Sequence, residues 1–333
     1  MTPIRELGGS LADAMTDERL RATQPWVHRG LVAHWPAVQA GRRSGADAAA
    51  YIRDAWRGEL VGVMVAPPEA NGRFFYNDAF TGMNFRRETA PLDGLLEALI
   101  KLADVPAPPA LYMGSTEVDT CLPPFRAAND LPLDARNPLV SIWLGNRSRI
   151  AAHYDLPDNI ACVVAGRRRF TLFPPEQLPN LYVGPLDLTP AGQSISLVDF
   201  ARPDLERHPR FAQALEHAQV AELEPGDAVF IPSMWWHHIE SLASFNVLVN
   251  YWWRQSSPYL DSPIGALMAA LLTVRDLPPH QREIWRDVFD HYVFRPTPAT
   301  AAHIPLHARS ALEPLTENGA RHLRQALLNR FKR

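Results

Sequence analysis

AHYDLPDNIACVVAGRRRFTLF (residues 152–173) decides the fold. It sets His153-Tyr154-Asp155 before an apolar run, Asn159 to Ala165, and a glycine turn separates that run from a second one ending at Phe173. Short apolar runs split by such turns read as neighbouring antiparallel strands. Alternate side chains of an extended segment share a face, so His153 and Asp155 project together and Tyr154 points away. A second stretch, GDAVFIPSMWWHHIES (226–241), again passes from a glycine turn through a short strand, and a histidine pair follows two tryptophans.

Further out, strands are expected around Val27, over 60–65, 73–76, 111–113, 139–144, 150–155, 159–165, 169–173, 228–232, 237–242 and 245–253. Gly, Pro and Asn turns divide them, the pattern of an antiparallel sandwich or barrel. Helical spacing marks 46–56 and 91–101, and after Trp253 the segments 264–275, 280–292 and 319–331. Residues 1–24 read as polar and helical, with a helix start at Thr16-Asp17-Glu18. The segment 174–220 is proline-rich and irregular, and is expected to cross the mouth of the barrel. The expected organisation is an α/β extension over 1–109, a β core over 110–255 carrying the 174–220 insertion, and a helical region over 256–333.

The chain has 333 residues, 47% of them hydrophobic, enough for a sizeable core. A net charge of −3, with no long run of one sign, argues against a nucleic-acid partner. The two cysteines, Cys121 and Cys162, stand in no paired spacing, which excludes a disulfide framework or a cysteine zinc site. The first residues lack a secretory pattern, and no apolar stretch reaches about 18 residues. The expectation is a cytoplasmic protein with no membrane partner.

Two imidazoles and a carboxylate that leave positions open form the facial arrangement of non-haem iron(II) oxygenases. His153 and Asp155 with one of the pair His237-His238 provide that set. An H-x-D triplet alone is weak; its weight comes from the histidine pair downstream in the same β-rich region.

These segments resemble the cupin-like JmjC oxygenases. AHYDLPDNIACVVAGRRRFTLFPPEQLPNLY (152–182) follows that family's core segment almost position by position. GDAVFIPSMWWHHIES with FNVLVNYWW (245–253) resembles its second one. PWVHRGLVAHWPAV (25–38) resembles its entry strand, and RFFYNDAFTGMNF (73–85) the hairpin after it. The likeness runs from about residue 25 to residue 255 and weakens in the C-terminal helices. Within the family it is nearest the asparaginyl hydroxylases.

The resemblance implies a double-stranded β-helix (jelly-roll) core with flanking helices. It implies an Fe(II)- and 2-oxoglutarate-dependent dioxygenase that consumes O₂ and hydroxylates a substrate carbon. The iron ligands would be His153, Asp155 and His237, because the family's ligand directly follows the aromatic pair. Arg168 stands where the related hydroxylase has a lysine for the distal carboxylate of 2-oxoglutarate. Arginine binds a carboxylate bidentately, whereas lysine is a point charge. Asn159 and Asn250 match cosubstrate contacts, and Trp252 matches a pocket wall. Tyr112 is the expected hydroxyl donor to the distal carboxylate, and Ile239 an apolar wall. One departure is Ile150, where the family often has a hydroxyl. The lost hydrogen bond is worth about 1 kcal/mol and opens the question of which 2-oxoacid is preferred. The expected substrate is a peptide or protein side chain, with a small molecule as the alternative. A metal-dependent cupin enzyme that does not use 2-oxoglutarate is the other alternative. A non-catalytic module is disfavoured by the intact ligand set. A homodimer is expected through the C-terminal helices, whose apolar stretches are ALMAALLTV (266–274) and ALLNRF (326–331).

Overall fold

The computed structural model describes residues 1–332. They fall into two compact units, Met1–Gln255 and the residues from Ser256 onward. The first unit holds fourteen strands: β1 (Thr2–Pro3), β2 (Trp26–His28), β3 (Leu60–Ala66), β4 (Arg73–Phe74), β5 (Arg86–Pro91), β6 (Ala110–Glu117), β7 (Leu139–Gly145), β8 (Ser148–His153), β9 (Asp158–Ala165), β10 (Arg168–Phe173), β11 (Gln219–Leu223), β12 (Ala228–Ile231), β13 (Trp236–Ser241) and β14 (Asn246–Trp253). They build a six-stranded sheet, in the order β1-β11-β10-β13-β8-β4, and an eight-stranded sheet, β2-β12-β9-β14-β7-β6-β3-β5. Only β1–β11 and β4–β8 pair in parallel. Two mainly antiparallel sheets are the jelly-roll architecture expected from the sequence.

Alternation along β9 shows how the layers form. Every residue of this strand is buried. Ile160, Cys162 and Val164 join the core on the helix-covered side, while Ala161 and Val163 join the smaller core that includes Phe170, Leu172 and Leu248. A strand buried on both faces has no polar alternation, which is why 159–165 reads as a continuous apolar run. The helix-side core takes Ala48, Ala49, Ile52 and Ala55 from the helix Gly45–Ala55, and Leu92, Leu95, Leu96 and Leu99 from Leu92–Lys101. The second set follows the i, i+3, i+4, i+7 stripe of an amphipathic helix, and the first, at i, i+1, i+4, i+7, keeps to one face as well. Ser44 caps the first by accepting a hydrogen bond from the Asp47 amide. The helix Pro36–Arg43 sits so close to β9 that a Cβ on Gly41 would lie 2.3 Å from the Val164 carbonyl.

Several local readings shift. The first 24 residues hold a short strand and two four-residue helices, the second starting after Thr16 as expected. β5 and β11 were not expected. β5 reads RRETAP because it is a solvent-facing edge strand with no buried residue. The insertion does more than cross the mouth. Phe211 and Ala214 of its helix Phe211–His217, with Leu181 and Val198, pack on Phe173 and Trp236 of the six-stranded sheet. The strand expected over 150–155 stops at His153, which leaves Asp155 in the following loop.

The second unit contains the helices Pro263–Thr273, Pro279–Phe289 and Glu317–Phe331. Among the described residues, no helix is long and apolar enough to cross a membrane.

Candidate metal centre

His153 ends β8, and His237 lies directly opposite it in β13. Register between these strands shifts once. Ile239 pairs with Ile150, so two residues of β13 are matched against three of β8. The extra residue is a β-bulge. Simple alternation would turn positions 150 and 153 to opposite faces; the bulge lets both line one cavity.

Asp155 has no ladder to hold it, and the loop preceding His237 takes that role. The Met234 amide donates to the Asp155 carbonyl at 2.9 Å, the Ser233 amide to Asp158 Oδ1 at 2.9 Å, and the Ser233 hydroxyl to the Leu156 carbonyl at 2.5 Å. Met234 adopts φ 68°, the left-handed region that favours glycine. That strained turn brings the two loops into register beside the ligand cluster.

One ligand atom each from His153, Asp155 and His237 lies within 4.8 Å of the other two. His153 Nδ1 is 2.9 Å from the Ala151 carbonyl, and His237 Nδ1 is 3.0 Å from the Trp235 carbonyl. A carbonyl only accepts, so each Nδ1 carries a proton and, in a neutral ring, Nε2 is the nitrogen left to bind a metal. His237 Nε2 stands 3.5 Å from Asp155 Oδ2. Two imidazoles and a carboxylate that converge in this way fit a cation site, and the backbone carbonyls supply the outer hydrogen bonds that metal-binding imidazoles require. Burial pushes the His153 pKa down to about 4, helped by His237, so this ring is neutral at pH 7. Burial opposes ionisation of Asp155, but the neighbouring His237 and His153 outweigh it and hold the carboxyl below its usual range. His238 faces the other way. Its ring lies 4.5 Å from that of Phe200, and burial lowers its pKa to about 3.

The cluster lines a cavity of about 230 Å³. Tyr112, Asn159, Asn250, Trp252 and Ile239 line it too, and Ile150 adds an apolar patch. Asn250 donates to the Asn159 side-chain oxygen at 2.8 Å, which joins β14 to β9 at the cavity wall.

Arg168 is fully buried but does not line the cavity. It shares the inner face of β10 with Phe170 and Leu172, while Arg169 turns outward to Glu222 and Glu240. No guanidinium nitrogen of Arg168 finds a hydrogen-bond partner. Burial lowers its pKa, and the Tyr112 hydroxyl beside it offsets part of that. Since Tyr112 lines the cavity, the unpaired cation lies directly behind the wall.

Residues that the sequence reading missed also line the cavity. Trp143 follows from the inward parity of β7. Ser115 is placed by a register shift in β6, where it adopts φ 55°. Pro190, Ala191, Gln193 and Ile195 come from the insertion, and Gln193 donates to Asp155 Oδ1 at 3.2 Å. No periodicity marks that segment, so no sequence signal pointed to Gln193.

Comparison with known proteins agrees with this geometry. The family described as cupin-like domain matches residues 12–259. The lysine-specific demethylase JMJ31 of Arabidopsis thaliana is 36% identical over 126 residues, 37% of this chain and 22% of that protein. Human HSPB1-associated protein 1 is 32% identical over 161 residues, 46% of this chain and 32% of its own length. The tRNA wybutosine-synthesizing protein 5 of Gallus gallus is 32% identical over 148 residues, 40% of this chain and 43% of that protein. The chain thus spans less than half the length of each of these relatives. Their names differ, a demethylase, an associated protein and a tRNA wybutosine-synthesizing protein, so they speak for the family rather than for one branch of it.

Proposed function

The chain belongs to the cupin-like domain family, and from that premise we propose that it is an Fe(II)- and 2-oxoglutarate-dependent dioxygenase that hydroxylates a substrate carbon. The observation that carries the reading is the convergence of two imidazoles and one carboxylate within 4.8 Å on a cavity with an unpaired buried guanidinium behind its wall. Three ligands on one face suit a metal that must keep positions open. An unpaired buried cation is costly, and an anionic partner removes most of that cost. The donor set therefore fits both groups.

His153, Asp155 and His237 would hold the iron. Arg168, with the Tyr112 hydroxyl, would hold the distal carboxylate of the cosubstrate. Asn159 and Asn250 would orient the end nearer the metal, and Ile239, Ile150 and Trp252 would keep water out. Bound together with O₂, iron and 2-oxoglutarate supply oxidative decarboxylation to succinate and CO₂, and one oxygen atom for the substrate. No residue of the chain is required as a general base.

The proposed substrate is a peptide or protein side chain, following the resemblance. A small molecule is the second reading, favoured by the size of the cavity. The proposal extends to a cytoplasmic setting, in keeping with two free cysteines, and the charge balance favours no nucleic-acid partner. Anaerobically iron-loaded protein should form succinate slowly from 2-oxoglutarate and O₂ even without substrate. If it forms none and binds no 2-oxoglutarate in the presence of iron, a cupin enzyme without this cosubstrate replaces the reading.

The proposal includes a homodimer through the C-terminal helices. The helix Pro263–Thr273 has no buried residue, and Leu267, Met268 and Leu272 are exposed on it. Such a patch is what a self-complementary two-fold interface covers. Light scattering at micromolar concentration should give twice the chain mass, falling to one mass in Leu272→Glu. A monomeric wild type would dismiss the dimer.

A further inference from the structure

The two oxygens of Asp155 have different neighbours. Oδ2 faces His237 Nε2, and Oδ1 accepts a hydrogen bond from Gln193 Nε2 at 3.2 Å. Gln193 belongs to a flap, residues 184–195, that covers the cavity with Pro190, Ala191 and Ile195. At the neck of the flap the Gly184 amide donates to the Ile195 carbonyl at 2.9 Å. The next residue, Ser196, donates its amide to the Ala152 carbonyl at 2.7 Å, beside His153. At the tip, the Tyr76 hydroxyl donates to the Leu188 carbonyl at 2.8 Å, and Arg87 to the Pro190 carbonyl. The tip ties come from side chains outside the ligand cluster, whereas the Gln193 tie ends on a ligand itself.

We propose that Gln193 is a positioning residue that couples closure of the 184–195 flap to occupancy of the metal site. The proposal rests on the reading of His153, Asp155 and His237 as ligands. A carboxylate with no cation has a broad terminal torsion. A cation on Oδ2 would fix the plane and leave Oδ1 in one place. Gln193 then finds its partner at a constant position and the flap stays down. The same bond would keep Oδ1 engaged, so that Asp155 would offer a metal one oxygen and leave a position open. Coupling of this kind is reciprocal: the factor by which metal stabilises the closed flap equals the factor by which the closed flap tightens metal.

The test uses the full chain with Mn(II) alone, without cosubstrate. Hydrogen exchange of the amides of 184–195 is followed with and without metal, and Mn(II) affinity is titrated on the same samples. In the wild type, Mn(II) should slow flap exchange about fivefold, the effect of one hydrogen bond. Gln193→Leu should lose that slowing and lose Mn(II) affinity by a similar factor. Tyr76→Phe, which cuts only a tip tie, should exchange faster throughout yet keep the slowing. Metal-dependent slowing that persists in Gln193→Leu would overturn the proposal, as would its absence from wild-type protein that binds Mn(II). Wild type that binds no Mn(II) would remove the ligand reading itself, and the titration makes that case distinguishable.

Discussion

His153→Ala and Asp155→Ala should each weaken Fe(II) binding by more than about 100-fold, beyond the 10–100-fold that loss of an outer hydrogen bond costs, and should leave no measurable succinate formation. Neither side chain can be replaced from nearby. His238 sits beside His237 in sequence, but its ring is lodged against Phe200 on the other face of β13. Gln193 reaches Asp155 but offers no charge. Both variants should stay folded, because the staples between the loops around Asp155 and Ser233 are made by backbone groups, Ser233 and Asp158. Anaerobic titration with Fe(II), beside far-ultraviolet circular dichroism, separates loss of metal from loss of fold. Wild-type affinity in either variant would mean that the cluster is not the iron site.

Arg168→Met should make the cosubstrate-free protein more stable and the enzyme far worse. A buried guanidinium with three unpartnered nitrogens is a burden on the fold. Replacing buried ions by apolar side chains of similar volume is often neutral or stabilising by about 1–4 kcal/mol. With 2-oxoglutarate present the sign reverses, since a charge-assisted hydrogen bond is worth about 1.5–3 kcal/mol. The KM for 2-oxoglutarate should therefore rise roughly 100-fold, taking the loss near the top of that range. Thermal melts give the readout. Without cosubstrate Arg168→Met should melt higher than wild type, and the upward shift that 2-oxoglutarate gives the iron-loaded wild type should vanish. A lower melting temperature together with an unchanged KM would show Arg168 to be structural. Arg168→Lys, which keeps the charge but not the fork, should fall between the two.

The fold was legible where burial is two-sided or strictly alternating. The run 159–165 announced a strand because both of its faces are covered, and the stripe at Leu92, Leu95, Leu96 and Leu99 announced a helix. β5 escaped because an exposed edge strand carries charge where a buried one carries valine. The cluster of His153, Asp155 and His237 was legible for a reason that is only partly right. Strand parity was expected to bring His153 and Asp155 together, yet the strand ends between them and a stapled loop does the work. The alignment of Ile150 with His153 could not be read from alternation, because a bulge is a property of two paired strands. Arg168 was singled out by its place in the resemblance and by the need of a buried carboxylate for a cation, since the expected strand began only at Arg169. That it would lie behind Tyr112, outside the cavity proper, depended on side-chain packing that no sequence pattern encodes.

The carbonyl clamps on the two imidazoles have a consequence for how the protein lives with its metal. Both rings are set in their ligating tautomer by Ala151 and Trp235, and the carboxylate loop by Ser233 and Met234, all from within the chain. A zinc finger takes its fold from its ion; here the groups that orient the three side chains all belong to the chain itself. The expected consequence is a chain that folds without metal and would take up its ion afterwards. The ion such a site took would then depend on the supply of divalent metals around the folded protein as well as on ligand type and geometry.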